Sequence, residues 1–387
     1  MRDEDRELDK NNLAYLSQEQ KATTRPIWES IFKEDTPKFL DYYYDYYCCY
    51  DKSSKNNLIL CKYSDDSSDN IISMLHLNSY RVSLNKNIFD INYIVAVATL
   101  EKHRKKGYMS QLLINSFNQM YNQKMPFTFL RPAKDEIYLP FGFTYIYNHK
   151  LLELVNSDEL IFEDINFENL KDFDLLAGLT NNYFINNYYS TYCVRNREYM
   201  LTLLHEVKSE NGRITKMYEG SISEDNLIGY YVFWGDYIRA IFLNSKSKFD
   251  SYTRVKSSKP LVMGRVINVV SFLESLTLKD EYLNFDSDSD SNSENIKINI
   301  KVLDNIIKKN NCFLELNINS FNFQKAEVIT IYNDLGHKEF DLVLNISDLT
   351  SLFFGYTQIE SYTQDLKVIQ DFKKIKIFSK VFIDEEV

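Results

Sequence analysis

The chain has 387 residues, with 55 acidic and 45 basic side chains and a formal net charge of −10. That length implies two or three domains, and the acidic balance excludes a general nucleic-acid binder, because neutralising phosphates needs a basic field. Apolar residues at 44% and charged residues at 26% make a soluble, foldable mixture. The longest apolar runs, such as Ile94–Ala98, fall far short of the ~20 residues of a membrane helix. The first 30 residues lack the apolar core of a secretory signal, so neither a membrane nor nucleic acid is an expected partner. Five cysteines (Cys48, Cys49, Cys61, Cys193, Cys312) show no Cys-x-x-Cys spacing; they predict reduced thiols in a cytoplasmic compartment, not a disulfide framework or zinc ribbon. The five histidines form no ligand spacing, so no metal and no catalytic histidine are expected.

A helix is predicted around Arg25–Glu34. A second starts at Asp35-Thr36-Pro37, with Asp35 or Thr36 as cap and Pro37 at the first helical position, and runs to about Tyr47. Asn57–Tyr63, Ile71–Asn78 and Ser79–Leu84 alternate like an antiparallel meander, with Asp65–Asn70 as a turn. Ile94–Ala98 reads as a strand covered on both faces, and Met109–Met120 has helical apolar spacing. Phe127–Leu130 and Phe141–Ile146 read as further strands. From Leu151 the pattern restarts, with helices near Leu170–Leu179 and Asn196–Glu206 and strands near Leu227–Trp234 and Tyr237–Leu243. A helix over Met263–Leu276 follows Ser257-Ser258-Lys259-Pro260 and marks a second boundary. The acidic run 286–295 has serine where a calcium loop needs glycine, so it reads as a solvated loop. Strands at Ile296–Val302, Phe313–Ile318, Ala326–Tyr332 and Phe340–Asn345 and a helix at Asp348–Phe354 close the chain. The fold class is α/β with mixed sheets.

Ile94–Met120 is the most informative stretch: apolar strand, basic turn, one of only ten glycines, helix. A strand handing over to a helix through glycine presents free backbone N–H groups at the positive end of the helix dipole, an anion site suited to pyrophosphate. Arg104, Lys105 and Lys106 add charge there, and Gly107 permits close approach. The spacing is neither a dinucleotide fingerprint nor a P-loop.

Val95-Ala96-Val97, His103-Arg104-Lys105-Lys106-Gly107 and Met109–Leu113 resemble the acetyl-coenzyme A motif of GNAT-fold N-acetyltransferases. Met109 departs from the glycine or alanine usual at its position, as in the enhanced intracellular survival (Eis) branch. Ile137-Tyr138-Leu139-Pro140-Phe141-Gly142-Phe143 is similar to that branch's second signature, with Phe143 in place of tyrosine. Trp28–Asp35 resembles its opening helices, and Met263-Gly264-Arg265-Val266 the start of its third segment. The resemblance is sharpest between Ile94 and Phe143.

The resemblance implies a catalytic GNAT domain (1–150), a second GNAT-like domain without a cofactor site (151–262) and a sterol-carrier-protein-like domain (263–387). It implies acetyl-coenzyme A as co-substrate, contacted by Val95, Ala96 and Val97 and by Arg104, Lys105, Lys106, Gly107, Tyr108, Met109 and Ser110. The acceptor would be a cationic amine: an aminoglycoside, a polyamine or a lysine. An alkylamine with pKa near ~10.4 must lose a proton before it attacks a thioester, and the leaving thiolate must gain one. The resemblance assigns the acid to Tyr138 and the base to the α-carboxylate of Val387. Trp28, Phe32, Asp35 and Glu386 would line the acceptor pocket, where the carboxylates of Asp384–Glu386 form a negative cleft. A homo-oligomer is implied, a hexamer being common in the family. The other reading of these residues is a non-catalytic coenzyme A-binding sensor on the same scaffold.

Overall fold

The computed structural model describes residues 12–48, 57–64, 70–155, 158, 160–244, 249–283, 295–319, 326–331 and 340–387. The turn at 65–69 and the acidic run from 286 to 294 lie outside them.

Helices α1 (Arg25–Ile31) and α2 (Pro37–Asp41) follow the first strand of the described chain. Thr36 caps α2, its hydroxyl accepting from Phe39 N at 3.1 Å, with Pro37 at the first helical position. The predicted helix then widens into a π-type segment over Tyr42–Cys48, burying Tyr43, Tyr44 and Tyr47. The sheet begins with β1 (Leu13–Tyr15), β2 (Leu58–Tyr63), β3 (Ile71–Leu84) and β4 (Asn87–Thr99), antiparallel neighbours in that order. After α3 (Tyr108–Asn122), β5 (Phe127–Leu130) lies parallel to β4. The amphipathic face of α3 puts Leu112, Leu113, Phe117 and Met120 into the core.

The second half supplies β6 (Thr144–Leu154), β7 (Leu160–Asp164), α4 (Leu170–Asn186), β8 (Thr191–Cys193), α5 (Arg197–Ser209), β9 (Arg213–Glu219), β10 (Leu227–Phe233), β11 (Ile238–Leu243) and β12 (Thr253–Val266). Among the described residues thirteen strands join one mixed sheet, eleven of them in the order β1-β2-β3-β4-β5-β12-β6-β11-β10-β9-β7. At the side, β8 pairs with β3 and with the strand Val381–Phe382. A four-stranded sheet orders Glu327–Ile331, Cys312–Asn319, Asn295–Leu303 and Leu342–Asn345.

Three expectations are corrected. Ile71–Leu84 is one strand, not two joined at Ser79, because β4 is long enough to pair along its whole length. Phe141 ends a short 3-10 turn, and the next strand starts at Thr144, because Gly142 at φ +79° turns the chain first. The helix expected over Met263–Leu276 shrinks to Val269–Leu273, since Met263–Val266 completes β12 between β5 and β6. Pro260 fits inside β12 because register shifts flank it, and a bulge tolerates the missing N–H. The positions 150/151 and 262/263 both fall inside strands of this sheet, β6 and β12.

Candidate active site

The donor side of the site starts at β4. Met74 pairs with Ala98 and His76 with Val95, so Ala96 and Val97 together face the single residue Leu75. This is a β-bulge, which takes backbone groups out of the ladder and re-aims them. Ala96 adopts φ +51°, an uncommon conformation for a residue with a Cβ. The ladder between β4 and β5 is a single parallel pair, Tyr93 with Phe129, whose rings stack with centroids 5.0 Å apart. Two residues past that pair stand Val95, next to the bulge, and Arg131 just beyond β5.

At the far end of β4, Lys105 (φ +62°) and Gly107 (φ +81°) turn the chain into α3, with Gly107 as its N-cap. Arg104, Lys105, Lys106 and Gly107 are exposed; Tyr108, Met109 and Ser110 are half-buried in the first helical turn. A Cβ on Gly107 would meet nothing within 4 Å, so the space beside it is open. The Arg104 guanidinium donates to Thr99 O at 3.2 Å and so folds back over the strand end.

Tyr138 sits between two short 3-10 turns (Asp135–Ile137 and Leu139–Phe141), its ring edge-on to Phe143 at 5.9 Å. Among the described residues no group hydrogen-bonds its hydroxyl, and burial alone pushes its pKa up to about 12. It belongs to the large buried cluster of Phe117 and Phe143. Val95 packs against that cluster and also against a second one, which holds Trp28, Ala96, Ala98 and Val387.

Trp28, Phe32 and Asp35, expected to line an acceptor pocket, come together, but none of them lines either of the two cavities described below, and Trp28 is buried in the core. The Trp28 indole donates to Asp35 Oδ2 at 2.6 Å, and its ring lies 5.8 Å from Phe32 and 5.3 Å from His76. Burial raises the Asp35 pKa against that hydrogen bond, and burial lowers that of His76 to about 3, leaving it a neutral partner of Tyr43.

The last four residues do not form an open acidic tail. Asp384, Glu385 and Val387 are buried, and each carboxylate side chain meets an arginine: Asp384 with Arg239 at 3.0 Å, Glu385 with Arg195 at 3.1 Å, and Glu386 with Arg131. The expected negative cleft is therefore largely cancelled, because a paired carboxylate has little field left to attract a cation. Burial opposes the charge on Asp384, but Arg239, His149 and Arg131 outweigh it and hold its carboxyl below the usual range. Burial carries Glu206, also held by Arg239 at 2.7 Å, up to about 7. The Tyr93 hydroxyl donates to Glu386 O at 3.1 Å, and Tyr80 donates to the backbone oxygen of Val387.

Successive tail residues border two cavities. Asp384 and Glu386 face one of about 320 Å³, with Arg131, His149, Leu151, Tyr237, Ser257, Lys259 and Leu261. Glu385 faces another of about 200 Å³, with Tyr47, Tyr80, Tyr199, Glu206 and Arg239 among its walls. Sequence reasoning missed Arg131, Arg195, Arg239, Tyr80 and His149. Arg131 had a local signal, a charge directly at the carboxyl end of a strand, where α/β sheets place ligands; the others come from distant segments and had none.

Residues 16–146 match the family described as acetyltransferase (GNAT) domain. No curated protein matches the sequence. Crystal structures share the fold along most of the chain. A protein of Enterococcus faecalis V583 described as a probable N-acyltransferase has 14% identity and a TM-score of 0.68, with 96% of each chain covered. A GCN5-related N-acetyltransferase from Anabaena variabilis ATCC 29413 has 16% identity and a TM-score of 0.65, covering 96% of this chain and 98% of that one. Eis1 from Mycobacterium abscessus has 11% identity and a TM-score of 0.56, covering 85% and 90%. The bulged β4, its one-pair ladder with β5 and the glycine-capped α3 are thus set in a mixed α/β fold shared with these structures, within the stretch 16–146 that matches the acetyltransferase (GNAT) domain family.

Proposed function

We propose that the protein transfers an acetyl group from acetyl-coenzyme A to a primary amine. The observation that carries this reading is the convergence at one place of the bulge at Ala96 and Val97, the end of the β4–β5 ladder, and the buried tail ending in Val387. Acetyl-coenzyme A, when bound, supplies an activated thioester. The turn at Arg104–Gly107 and the N-terminal N–H groups of α3 fit its pyrophosphate, and Tyr108, Met109 and Ser110 border the same end. Backbone N–H groups of Val95, Ala96 and Val97, in and beside the bulge, are the candidates to hold the thioester carbonyl and the charge it develops. The amine enters through the 320 Å³ chamber, whose wall includes Glu386; Trp28 and Phe32 pack in the same buried cluster as Ala96 of the bulge, and Asp35 accepts from the Trp28 indole. Tyr138 donates a hydrogen bond to the departing sulfur. The α-carboxylate of Val387 receives the proton of the amine; burial away from water raises a carboxylate's basicity, although the Tyr80 hydrogen bond works the other way.

The direct test is thiol release from acetyl-coenzyme A with a panel of primary amines; turnover with at least one supports an enzyme. Coenzyme A binding without turnover on every amine would favour the sensor reading instead. Adding two glycines after Val387 displaces the carboxylate, and kcat should drop about 100-fold with the KM for acetyl-coenzyme A unchanged. An unaltered rate removes Val387 from the chemistry.

The turn at Gly107 gives a separate expectation. Alanine there clashes with nothing but is strained at φ +81° by about 1–2 kcal/mol, which the free protein can relieve by reshaping the turn. Gly107→Ala should therefore raise the KM for acetyl-coenzyme A roughly 5- to 30-fold with little change in kcat or melting temperature. An unchanged KM would show that the phosphates bind elsewhere.

A further inference from the structure

The chamber wall holds two groups that the transfer chemistry leaves idle. Of its four charged side chains with formal charge at every neutral pH, Glu386 is matched by Arg131, and Asp384 is matched from behind by Arg239. Lys259 stands apart: among the described residues no carboxylate pairs with it, whereas Arg254 and Lys256 on the same strand both meet Glu153, at 3.1 and 2.7 Å. Lys259 lies directly opposite His149 in the β6–β12 ladder, which puts the two side chains on one face as near neighbours.

His149 is only 8% exposed. Its Nδ1 lies 3.2 Å from Asp384 Oδ1 without the alignment of a hydrogen bond, and both ring nitrogens are buried with no hydrogen-bond partner among the described residues. An ionised carboxylate only accepts, so the nearness of Asp384 favours a proton on Nδ1, and in that ring form the Nε2 lone pair is an acceptor. A buried acceptor without a donor is costly, and here a ligand can supply one. The wall therefore offers, side by side, one acceptor for an N–H and one cation for an anionic oxygen. Leu151 and Leu261 add an apolar surface suited to a methylene chain.

We propose that Lys259 and His149 together bind the head of an α-amino acid, the carboxylate on Lys259 and the α-ammonium on His149 Nε2. The acceptor is then a diamino acid whose side-chain amine is acetylated. This rests on the acetyl-transfer reading above, and the experiment separates the two. Three amines are compared: L-lysine, 1,5-diaminopentane, which lacks the carboxylate, and 6-aminohexanoate, which lacks the α-amine. The wild-type protein should favour L-lysine at least tenfold in kcat/KM over each. Lys259→Gln should bring L-lysine down to the level of 1,5-diaminopentane and leave the latter within threefold of wild type. His149→Leu should do the same relative to 6-aminohexanoate. Equal use of the three amines, a preference for 1,5-diaminopentane, or equal losses on all three in Lys259→Gln would overturn the proposal. Binding is also read without turnover, by titrating the full chain, with ¹⁵N-labelled histidine, with L-norleucine, which has the head but no side-chain amine. The His149 Nε2 resonance should move in the wild type and stay in Lys259→Gln; a resonance unmoved in the wild type overturns the proposal. If norleucine binds but no amine is acetylated, it is the transfer reading that falls.

Discussion

Replacing Tyr138 with phenylalanine is expected to lower kcat about 10²–10³-fold while coenzyme A still binds. The hydroxyl is the one polar atom removed; the ring keeps its edge contact with Phe143 and its place in the core. Burial pushes the Tyr138 pKa up to about 12, against ~8.5 for an ordinary thiol. A phenol that weakly acidic does not ionise ahead of the leaving group. On the acetyl-transfer reading it donates a hydrogen bond to sulfur as negative charge develops and keeps its own proton, because a thiolate whose acid has a pKa of ~8.5 is the weaker base, so coenzyme A departs as the thiolate. The protonated form is the competent one and persists at every pH below about 12, so any fall in rate between pH 8 and 10 belongs to another group. Steady-state kinetics over that range, with the coenzyme A dissociation constant measured in parallel, check both points. A Phe variant with a wild-type kcat would remove Tyr138 from the chemistry, whatever the pH profile.

The parts of this site that were legible in the sequence are those carried by short segments. Gly107 stands out because glycine is scarce, and a single glycine between an apolar strand and an amphipathic helix leaves little choice of geometry. The α2 start at Thr36-Pro37 was equally local. What escaped was set by partners far apart in the chain. Nothing near Asp384, Glu385 or Glu386 announces that Arg239, Arg195 and Arg131 wait for them across the sheet, so an acidic tail looks like a solvated one. His149 is one of five histidines without spacing, and only the fold brings Asp384 to its ring. Pro260 misled for a different reason: its effect on a strand depends on the register of both neighbours, and β12 accommodates it with bulges that leave no trace in composition.

Arg265→Met should destabilise the protein by about 3–5 kcal/mol, a large share of the roughly 5–15 kcal/mol that holds a domain folded. Arg265 is completely buried, as is Asp304, whose two oxygens it meets at 2.9 and 3.0 Å. Its other donors go to Phe141 O and Val266 O, both at 2.6 Å, and its guanidinium lies 5.0 Å from the centre of the Phe117 ring. Burial lowers the guanidinium pKa, with Asp304 opposing. Removing the arginine strands a buried carboxylate, and the remaining donors from Ile306 N, Ile307 N and Asn310 at 2.9–3.1 Å do not carry its countercharge. The midpoint of urea unfolding reads the loss. Converting Asp304 to asparagine in the same chain keeps an acceptor for those donors and removes the charge, so the double variant should recover part of the stability lost by Arg265→Met alone. Its failure to do so would mean that packing against Phe117, not ion pairing, is what Arg265 supplies. The same residue also fixes the turn that positions Tyr138. Gly142 sits so close that a Cβ there would lie 2.6 Å from Ile346 Cγ2 and 3.5 Å from the Arg265 Nε. With Phe141 O unpartnered, the 138–142 turn should exchange its amide hydrogens faster than in the wild type, and kcat should fall even under conditions where Arg265→Met is fully folded. A folded variant with unchanged exchange and unchanged kcat would separate the stability of the core from the placement of the acid.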